Sequence, residues 1–494
     1  MKEQAVRGAI WVLLDTAGGQ ILSFLAFLIL ARLLVPEDYG ILSLAAAIIA
    51  VPQILLNEGF GTALVQRDLL DDVHIGAAFW ANLCLAMIFV AAAQIGAPWA
   101  AVITGTAMIE PVIRWLSLSM IGTALMAIAG GLFIRDLKYS TFALRTFVAN
   151  SVGALTGVAM ALLGYGVWAL VGMQLCTSAL GVLIMWKGVR WRPTASFSWS
   201  AFRDIYHFST RLMVGNGLRF ATERADMVII GTFLDPAALG FYFLVTRLLT
   251  TVIYITISPV DRIMLPVLTR LKDDPHRRSE AYANMIGVTS VFWIPSVAGL
   301  GVVAPLVIPL LFGHKWDAAI PLMMIMSLVC ISGPLNRPTM HALLAVGKPE
   351  IYAILNFVQM IITIGAFFIA VRGGIVGAAW AYAAVLIAMV PFNLVAAQRV
   401  AGISLVQVMR RYLPPLGAGM IMASVLLLMS PYLPDQSRYG VFSQVFGLFL
   451  QMAVGMMVYA AALYIFAPRQ VSEYLGTAYD ALPDSLKFRR KAWR

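Results

Sequence analysis

Apolar runs of about twenty residues or more, broken only by short clusters of charge, proline or glycine, recur along almost the whole of this sequence. That pattern leaves few folds open. A bilayer core about 30 Å thick needs on the order of 20 apolar residues per helix, and backbone N–H and C=O groups in lipid must bond within their own segment. Composition agrees: 61% of the 494 residues are hydrophobic and only 12% are charged, against about 25% charged in an average soluble domain. The mean hydropathy is +0.86. An all-α integral membrane protein is expected.

Marking the runs gives about fourteen spans. Six of them, near 8–34, 40–65, 73–95, 111–134, 141–163 and 166–186, define an N-lobe over 1–190, followed by a cytoplasmic linker at 191–204. Six more, near 205–233, 237–259, 282–311, 318–345, 351–371 and 374–396, define a C-lobe over 205–397. Two extra helices near 413–432 and 442–466 fill 398–467, and a basic tail covers 468–494. With this span number most of the 35 Lys and Arg fall on the side of the termini, so both termini are expected in the cytoplasm. The net charge of +11 then reports orientation and attraction to anionic lipids, and requires no nucleic acid. The start, MKEQAVRGAIWVLL, is read as part of a retained first span. Cys84, Cys176 and Cys330 are isolated within apolar runs, which suits small core residues better than a metal motif or a disulfide. The loops are too short for a folded extramembrane domain, so the function is expected within the bilayer.

An internal repeat is visible. Ile29–Leu44 and Ile229–Leu244 align without a gap, with Ile29, Leu34, Pro36, Gly40 and Leu44 matching Ile229, Leu234, Pro236, Gly240 and Leu244. In each copy a span ends, a proline-containing turn reverses the chain, and glycine lies in the start of the next span. Proline and glycine are common at any span end; a true duplication would instead make two parallel-related six-helix lobes with a cavity between them near the midplane.

Four stretches carry a family resemblance: LARLLVPEDYGILSL from Leu30, GFGTALVQRDLLDDVHIGAAFWANL from Gly59, GGLFIRDLKY from Gly130, and IPLLFGHKWDAAIPLM from Ile308. Through them the sequence resembles the oligosaccharide flippases of the polysaccharide transporter family, the Wzx-type, colanic-acid-exporter-like branch of the MOP exporter superfamily. The resemblance implies two six-helix lobes in a V, alternating access, and location in the bacterial inner membrane. It implies a substrate in which an oligosaccharide repeat unit is joined by diphosphate to undecaprenol, flipped outward for exopolysaccharide, capsule or O-antigen assembly. Polysaccharide polymerase and co-polymerase are the partners it adds.

The residues themselves point to chemistry where charge lies inside a span, because a central charge costs about 2.5 to 3.5 kcal/mol and is retained where it faces a wet cavity or a partner. Asp15, Glu58, Arg114, Arg219, Glu223, Arg224, Asp226, Arg247 and Arg337 are such residues. Asn216, Arg219, Glu223 and Asp226 step by three and four residues along one helix face, which fits either a polar seam or a lumen lining. Arg224 lies about 100° from Glu223 and is off that face. Arg337 sits between Pro334 and Pro338, which should break the helical ladder, and His341 lies one turn beyond. Arg114 can pair with Glu110. A diphosphate needs fixed cations in a water-excluded site, and Arg offers bidentate geometry. Arg114, Arg219, Arg247 and Arg337 are the expected substrate contacts. Glu223, Asp226, Asp15 and Glu58 are the expected carriers of a coupling H⁺ or Na⁺. No cofactor or metal is expected. The pairs Gly153/Gly157 and Gly373/Gly377 suit close helix packing. The terminal LKFRRKAWR suits adsorption to an anionic leaflet, with a cytoplasmic biosynthetic partner as the alternative.

Two other classes compete. A MATE-like small-molecule antiporter would share the layout but not the quoted motifs. A membrane-embedded polysaccharide polymerase would need a sizeable outer loop with catalytic side chains, and the outer loops here are short. No G-x-x-x-x-G-K-[ST] phosphate loop is present, so an ion gradient rather than a nucleotide is the expected drive.

Overall fold

The computed structural model describes residues 18–66, 71–135, 139–194, 197–429 and 440–473, with the side chains of 63, 65–66, 139–141, 143, 207–208, 211–212, 214–223 and 440–442 outside that description. Every regular element among the described residues is helical. The helices are α1 Gly19–Leu33, α2 Pro36–Glu58, α3 Phe60–Gln66, α4 Asp72–Thr104, α5 Ile109–Ser117, α6 Ser119–Arg135, α7 Tyr139–Leu162 and α8 Val167–Gly188. They continue with α9 Trp199–Phe233, α10 Pro236–Thr256, α11 Ser258–Arg270, α12 Pro275–Phe312, α13 Ala319–Met326, α14 Gly333–Asn336 and α15 Pro338–Ala345. The last four are α16 Pro349–Ala370, α17 Gly374–Ala401, α18 Leu405–Met429 and α19 Gly440–Phe466. Five of them, α2, α10, α12, α15 and α16, start on proline. Proline fits the first helical position, where its fixed φ is already helical and no N–H is needed. At Gly105 and Gly402 the chain leaves α4 and α17 with φ of 65° and 64°, a left-handed conformation that glycine adopts without a Cβ penalty.

Among the described residues, nine helices are long and apolar enough to cross a membrane, or ten if a bent pair counts as one span. About fourteen spans are expected from the sequence, and part of the difference has local causes. Residues 349–401 count as one 53-residue stretch, although a short 3₁₀ turn at Val371–Gly373 interrupts it. The first helix is described for 15 residues only. The bent pair, Ala319–Cys330 with Gly333–Ala345, turns by 41°, at the Pro334/Pro338 region where a break is expected. The kink is held from outside: the Tyr412 hydroxyl donates to the Ile331 carbonyl, and Asn336 Nδ2 donates to the Leu386 carbonyl at 2.7 Å.

The chain divides into two compact units, one of 1–244, 311–318 and 363–378, the other of 245–310, 319–362 and 379–494. In the second unit α18 and α19 pack on α12. Met422, Leu426, Tyr459 and Leu463 form a core with Val291 and Val302 against it, and the Tyr459 hydroxyl donates to the Val291 carbonyl at 3.1 Å. Buried Arg278 closes the end of α17 by donating from Nε and Nη2 to the Ala401 carbonyl, at 3.1 and 2.8 Å. Cations at helix C-termini satisfy orphan carbonyls and the dipole together.

Both copies of the repeat lie in the first unit and have the same local form. α1 and α9 each end in an extended residue, Leu34 or Leu234, whose N–H bonds back to the Leu30 or Ile230 carbonyl at 2.8 Å in both cases. The two copies touch reciprocally. A Cβ on Gly40 would lie 1.7 Å from the Pro236 carbonyl oxygen, and one on Gly240 would lie 2.0 Å from that of Pro36. Residue i meeting j while j meets i is the mark of a two-fold relation. Small residues pack helices closely elsewhere too. Gly153 and Gly157 lie against Met173 and Thr177 of α8, and Gly377 against the Ala370 carbonyl, whereas Gly373 has open space.

The segment 311–318 seals the C-terminal end of α1. Lys315 Nζ donates to the Arg32 carbonyl at 2.7 Å, Trp316 Nε1 to the Ala31 carbonyl at 2.9 Å, and Arg32 Nε returns a bond to the Leu311 carbonyl at 3.0 Å. Trp316 is fully buried, edge-on to Tyr39 and Phe312.

Candidate functional site

A cavity of about 410 Å³ opens within the first unit. Its first wall is one face of α2. Ser43, Ala46, Ala50, Gln53 and Asn57 follow one another at three- and four-residue steps, the spacing that stacks side chains on a single helix face. The small residues make room, and the two amides stand further along the same face. Pro52 lies inside α2, where it removes a ladder donor beside Gln53. Gln53 is oriented by Nε2 donating to Ser119 Oγ at 2.9 Å, and Ser119 Oγ in turn donates to the Leu116 carbonyl at 2.6 Å. Thr123 from α6 completes this side.

The remaining wall comes from α9 and α10. Arg224 and Met227 line it from α9, and Phe243 from α10. Arg224 is the only charged residue among the described wall residues. The Phe243 ring is stacked on Tyr39, with centroids 5.9 Å apart and planes at 26°, and meets Phe27 edge-on at 6.2 Å.

The framework around the cavity is rigid for identifiable reasons. Fully buried Asn82 of α4 donates to the Leu56 carbonyl at 3.2 Å and the Ala124 carbonyl at 3.1 Å, clamping α2 to α6. A Cβ at Gly61 would lie 2.5 Å from the Ala127 carbonyl oxygen, and one at Gly131 would lie 2.7 Å from that of Gly61. Two of the quoted sequence motifs, GFG and GG, thus allow backbone on backbone where α3 crosses α6.

The charged residues singled out in the sequence take different places. Asp226 is buried, accepting the Tyr242 hydroxyl at 2.6 Å and the Met227 N–H at 2.7 Å. Glu58 accepts from Asn57 Nδ2 at 3.4 Å. Arg114 pairs with Glu110 at 2.8 Å on an exposed face. Arg247 and Arg337 belong to the second unit. The side chains of Asn216, Arg219 and Glu223, all of Asp15, and the tail LKFRRKAWR lie outside the described residues.

In the second unit Arg337 forms part of a cluster. Its Nε is 3.3 Å from Asp261 Oδ2, and His341 Nε2 is 3.5 Å from Asp261 Oδ1. Asp261 lies on α11, outside the apolar spans. Burial acts to raise its carboxyl pKa, but the His341 hydrogen bond and the Arg337 charge outweigh burial and hold it below the usual carboxylate range. Sequence reasoning missed Asp261, because it falls just past a span end in a stretch read as a loop. It also set Arg224 aside, because Arg224 is off the face of Glu223.

No group of three or more His, Cys, Asp or Glu side chains among the described residues could hold a metal.

The helices long and apolar enough to cross a membrane, and the cavity of about 410 Å³ with mixed polar and apolar walls inside one bundle, describe a multi-pass membrane protein with room for a small-molecule moiety. The chain belongs to the polysaccharide biosynthesis protein family, whose model matches residues 29–321. It is 27% identical to the succinoglycan biosynthesis transport protein ExoT of Rhizobium meliloti (strain 1021) over 64% of each chain, just under two thirds of that relative's length. It is 24% identical to the teichuronic acid biosynthesis protein TuaB of Bacillus subtilis (strain 168), over 77% of this chain and 80% of that one. With the lipopolysaccharide biosynthesis protein WzxC of Escherichia coli (strain K12) it shares 20% over 75% of each. In fold it is similar to the lipid II flippase MurJ in an inward closed conformation, with a TM-score of 0.74 at 13% identity, covering 94% of this chain and 100% of that one. An inward-facing multidrug MATE transporter of the MOP superfamily gives 0.63 at 17%, covering 83% and 96%. The expected Wzx-type membership is borne out; among these proteins ExoT is a transport protein, MurJ a flippase and MATE a transporter.

Proposed function

We propose that this protein flips a lipid-linked oligosaccharide, a repeat unit on undecaprenyl diphosphate, across the bacterial inner membrane with both termini in the cytoplasm. The observation that carries the reading is the cavity of about 410 Å³ with uncharged polar side chains and Arg224 in its wall. A guanidinium among neutral groups suits a diphosphate joined to sugars, since charge-assisted bonds in a secluded site are stronger than in water. The names of ExoT, TuaB and WzxC support a role in polysaccharide assembly, and the fold shared with MurJ supports movement of a lipid carrier.

Arg114, Arg219, Arg247 and Arg337 remain the proposed further cations along the route. Arg114 and Arg337 are already paired with Glu110 and Asp261 through one guanidinium nitrogen each, which leaves other N–H donors for a phosphate. Asp226, with Glu223, Asp15 and Glu58, remains a proposed carrier of the coupling H⁺ or Na⁺. Asp226 is buried and accepts the Tyr242 hydroxyl, and ionisable groups kept inside a span mark ion and proton pathways.

Deleting the gene should abolish surface polymer and accumulate the lipid-linked precursor inside the cell. Wild-type protein should restore export, and Arg224→Ala at equal protein level should not. Unchanged precursor levels with altered sensitivity to lipophilic cations would replace this reading with the MATE-like antiporter.

A further inference from the structure

We infer that Gln53, Asn57 and Phe243 form a carbohydrate-reading subsite beside Arg224, so that one wall of the cavity distinguishes the sugars while the guanidinium takes the phosphate. The inference rests on the proposed flippase reading and goes beyond it, because it assigns selectivity to named neutral residues.

The argument begins with what a sugar ring presents. Hydroxyls around its edge each donate and accept, and its faces are C–H surfaces without charge. A planar amide offers a donor and an acceptor side by side, the complement of two neighbouring hydroxyls. An aromatic ring offers its electron-rich face to C–H groups. The cavity wall holds both kinds of group, with Gln53 and Asn57 one helical turn apart on α2 and Phe243 on α10.

Gln53 and Phe243 are held by partners on other helices before anything binds, and Asn57 stands exposed beside them. Gln53 has its Nε2 committed to Ser119 Oγ, which turns Oε1 into the acceptor that remains. Asn57 commits one N–H to Glu58 and keeps a second N–H and its Oδ1 for other partners. Phe243 is held by Tyr39 and Phe27, so its ring costs little entropy on contact. Ser43, Ala46 and Ala50 leave space along the same face of α2. A volume of about 410 Å³ lies in the range, about 300 to 1,000 Å³, of pockets that enclose a compact small-molecule moiety. It suits sugar rings, not a polyprenyl tail.

The test uses the full-length protein in proteoliposomes carrying equal amounts of two lipids: the polyprenyl-diphosphate repeat unit extracted from the host strain, and its analogue truncated to a single sugar. An impermeant periodate treatment followed by mass spectrometry reads how much of each reaches the opposite leaflet. Wild type should favour the complete unit. Gln53→Ala, Asn57→Ala and Phe243→Leu should each reduce that preference by about three- to ten-fold, the loss of one neutral contact. Arg224→Gln should slow both lipids together and leave their ratio alone. An unchanged ratio in the three neutral variants, or an equal fall for both lipids, overturns the subsite. Failure of wild type to move either lipid overturns the flippase reading itself, and the inference with it.

Discussion

Replacing Gly40 with alanine tests the two-fold crossing of the repeats directly. In an isolated helix the change would stabilise by about 1 kcal/mol through propensity. Here the new Cβ would sit 1.7 Å from the Pro236 carbonyl oxygen, well inside the 3.0 Å that real Cβ atoms respect, and the obstacle is backbone rather than a flexible side chain. Two helices would have to part by more than 1 Å. Overpacking of that kind costs about 3 kcal/mol, which leaves a net loss of about 2 kcal/mol after the propensity gain. Gly240→Ala should cost about the same, because it meets Pro36 in the mirror arrangement at 2.0 Å. The double variant decides the matter. Once the helices have moved apart for the first methyl, the second fits at little extra expense, so the pair should fall short of additivity by about 1 kcal/mol or more. Unfolding in mixed micelles of rising SDS content, followed by tryptophan fluorescence, measures all four corners of the cycle. Gly365→Ala, where a Cβ meets open space, is the control and should be neutral or stabilising. Wild-type stability in both single variants, or strict additivity in the double, would refute the reciprocal contact.

Three further outcomes are expected. Because Asp261 is held below the usual carboxylate range, its contribution is present above its unfolded pKa of about 3.9 and is lost as pH falls through the lower folded value. Asp261→Asn should therefore cost about 1 to 2 kcal/mol at pH 7, and thermal denaturation at stepped pH should show the gap closing below about pH 4. Trp316→Phe keeps a ring but deletes the bond to the Ala31 carbonyl and should cost about 1 kcal/mol. Trp316→Ala should cost about 3 to 5 kcal/mol in the same SDS titration. Asp226→Asn and Tyr242→Phe should each weaken the dependence of precursor flipping on an imposed proton or sodium gradient in proteoliposomes; an unaltered dependence in both would remove Asp226 from the coupling role.

The helices were legible in the sequence because lipid imposes a length and an apolarity on each one. The repeat was legible because Pro36 and Gly40 recur at Pro236 and Gly240 with unbroken spacing. The cavity was not legible to the same degree. Spacing says that Arg219, Glu223 and Asp226 share a helix face, but not which face of α9 meets open space. Arg224 and Met227, three residues apart, line the cavity, while Asp226 turns to Tyr242. Neighbouring helices decide that rotation, and their packing depends on residues such as Asn82 and Gly61 whose partners are distant in sequence. Asp261 escaped for a related reason: its partners Arg337 and His341 lie some eighty residues away.

The turn around Gly313 is a practical trap for anyone engineering this chain. With φ of 91° and open space around it, it has the outward signs of a loop that would accept an epitope tag or a reporter. Yet the residues that follow are stitched to the end of α1, almost three hundred positions earlier. An insertion there would uncap that helix, and a split protein divided at 191–204 would send its first fragment out with Ala31 and Arg32 carbonyls unmet until the second fragment arrived. The halves are therefore expected to need co-expression to mature.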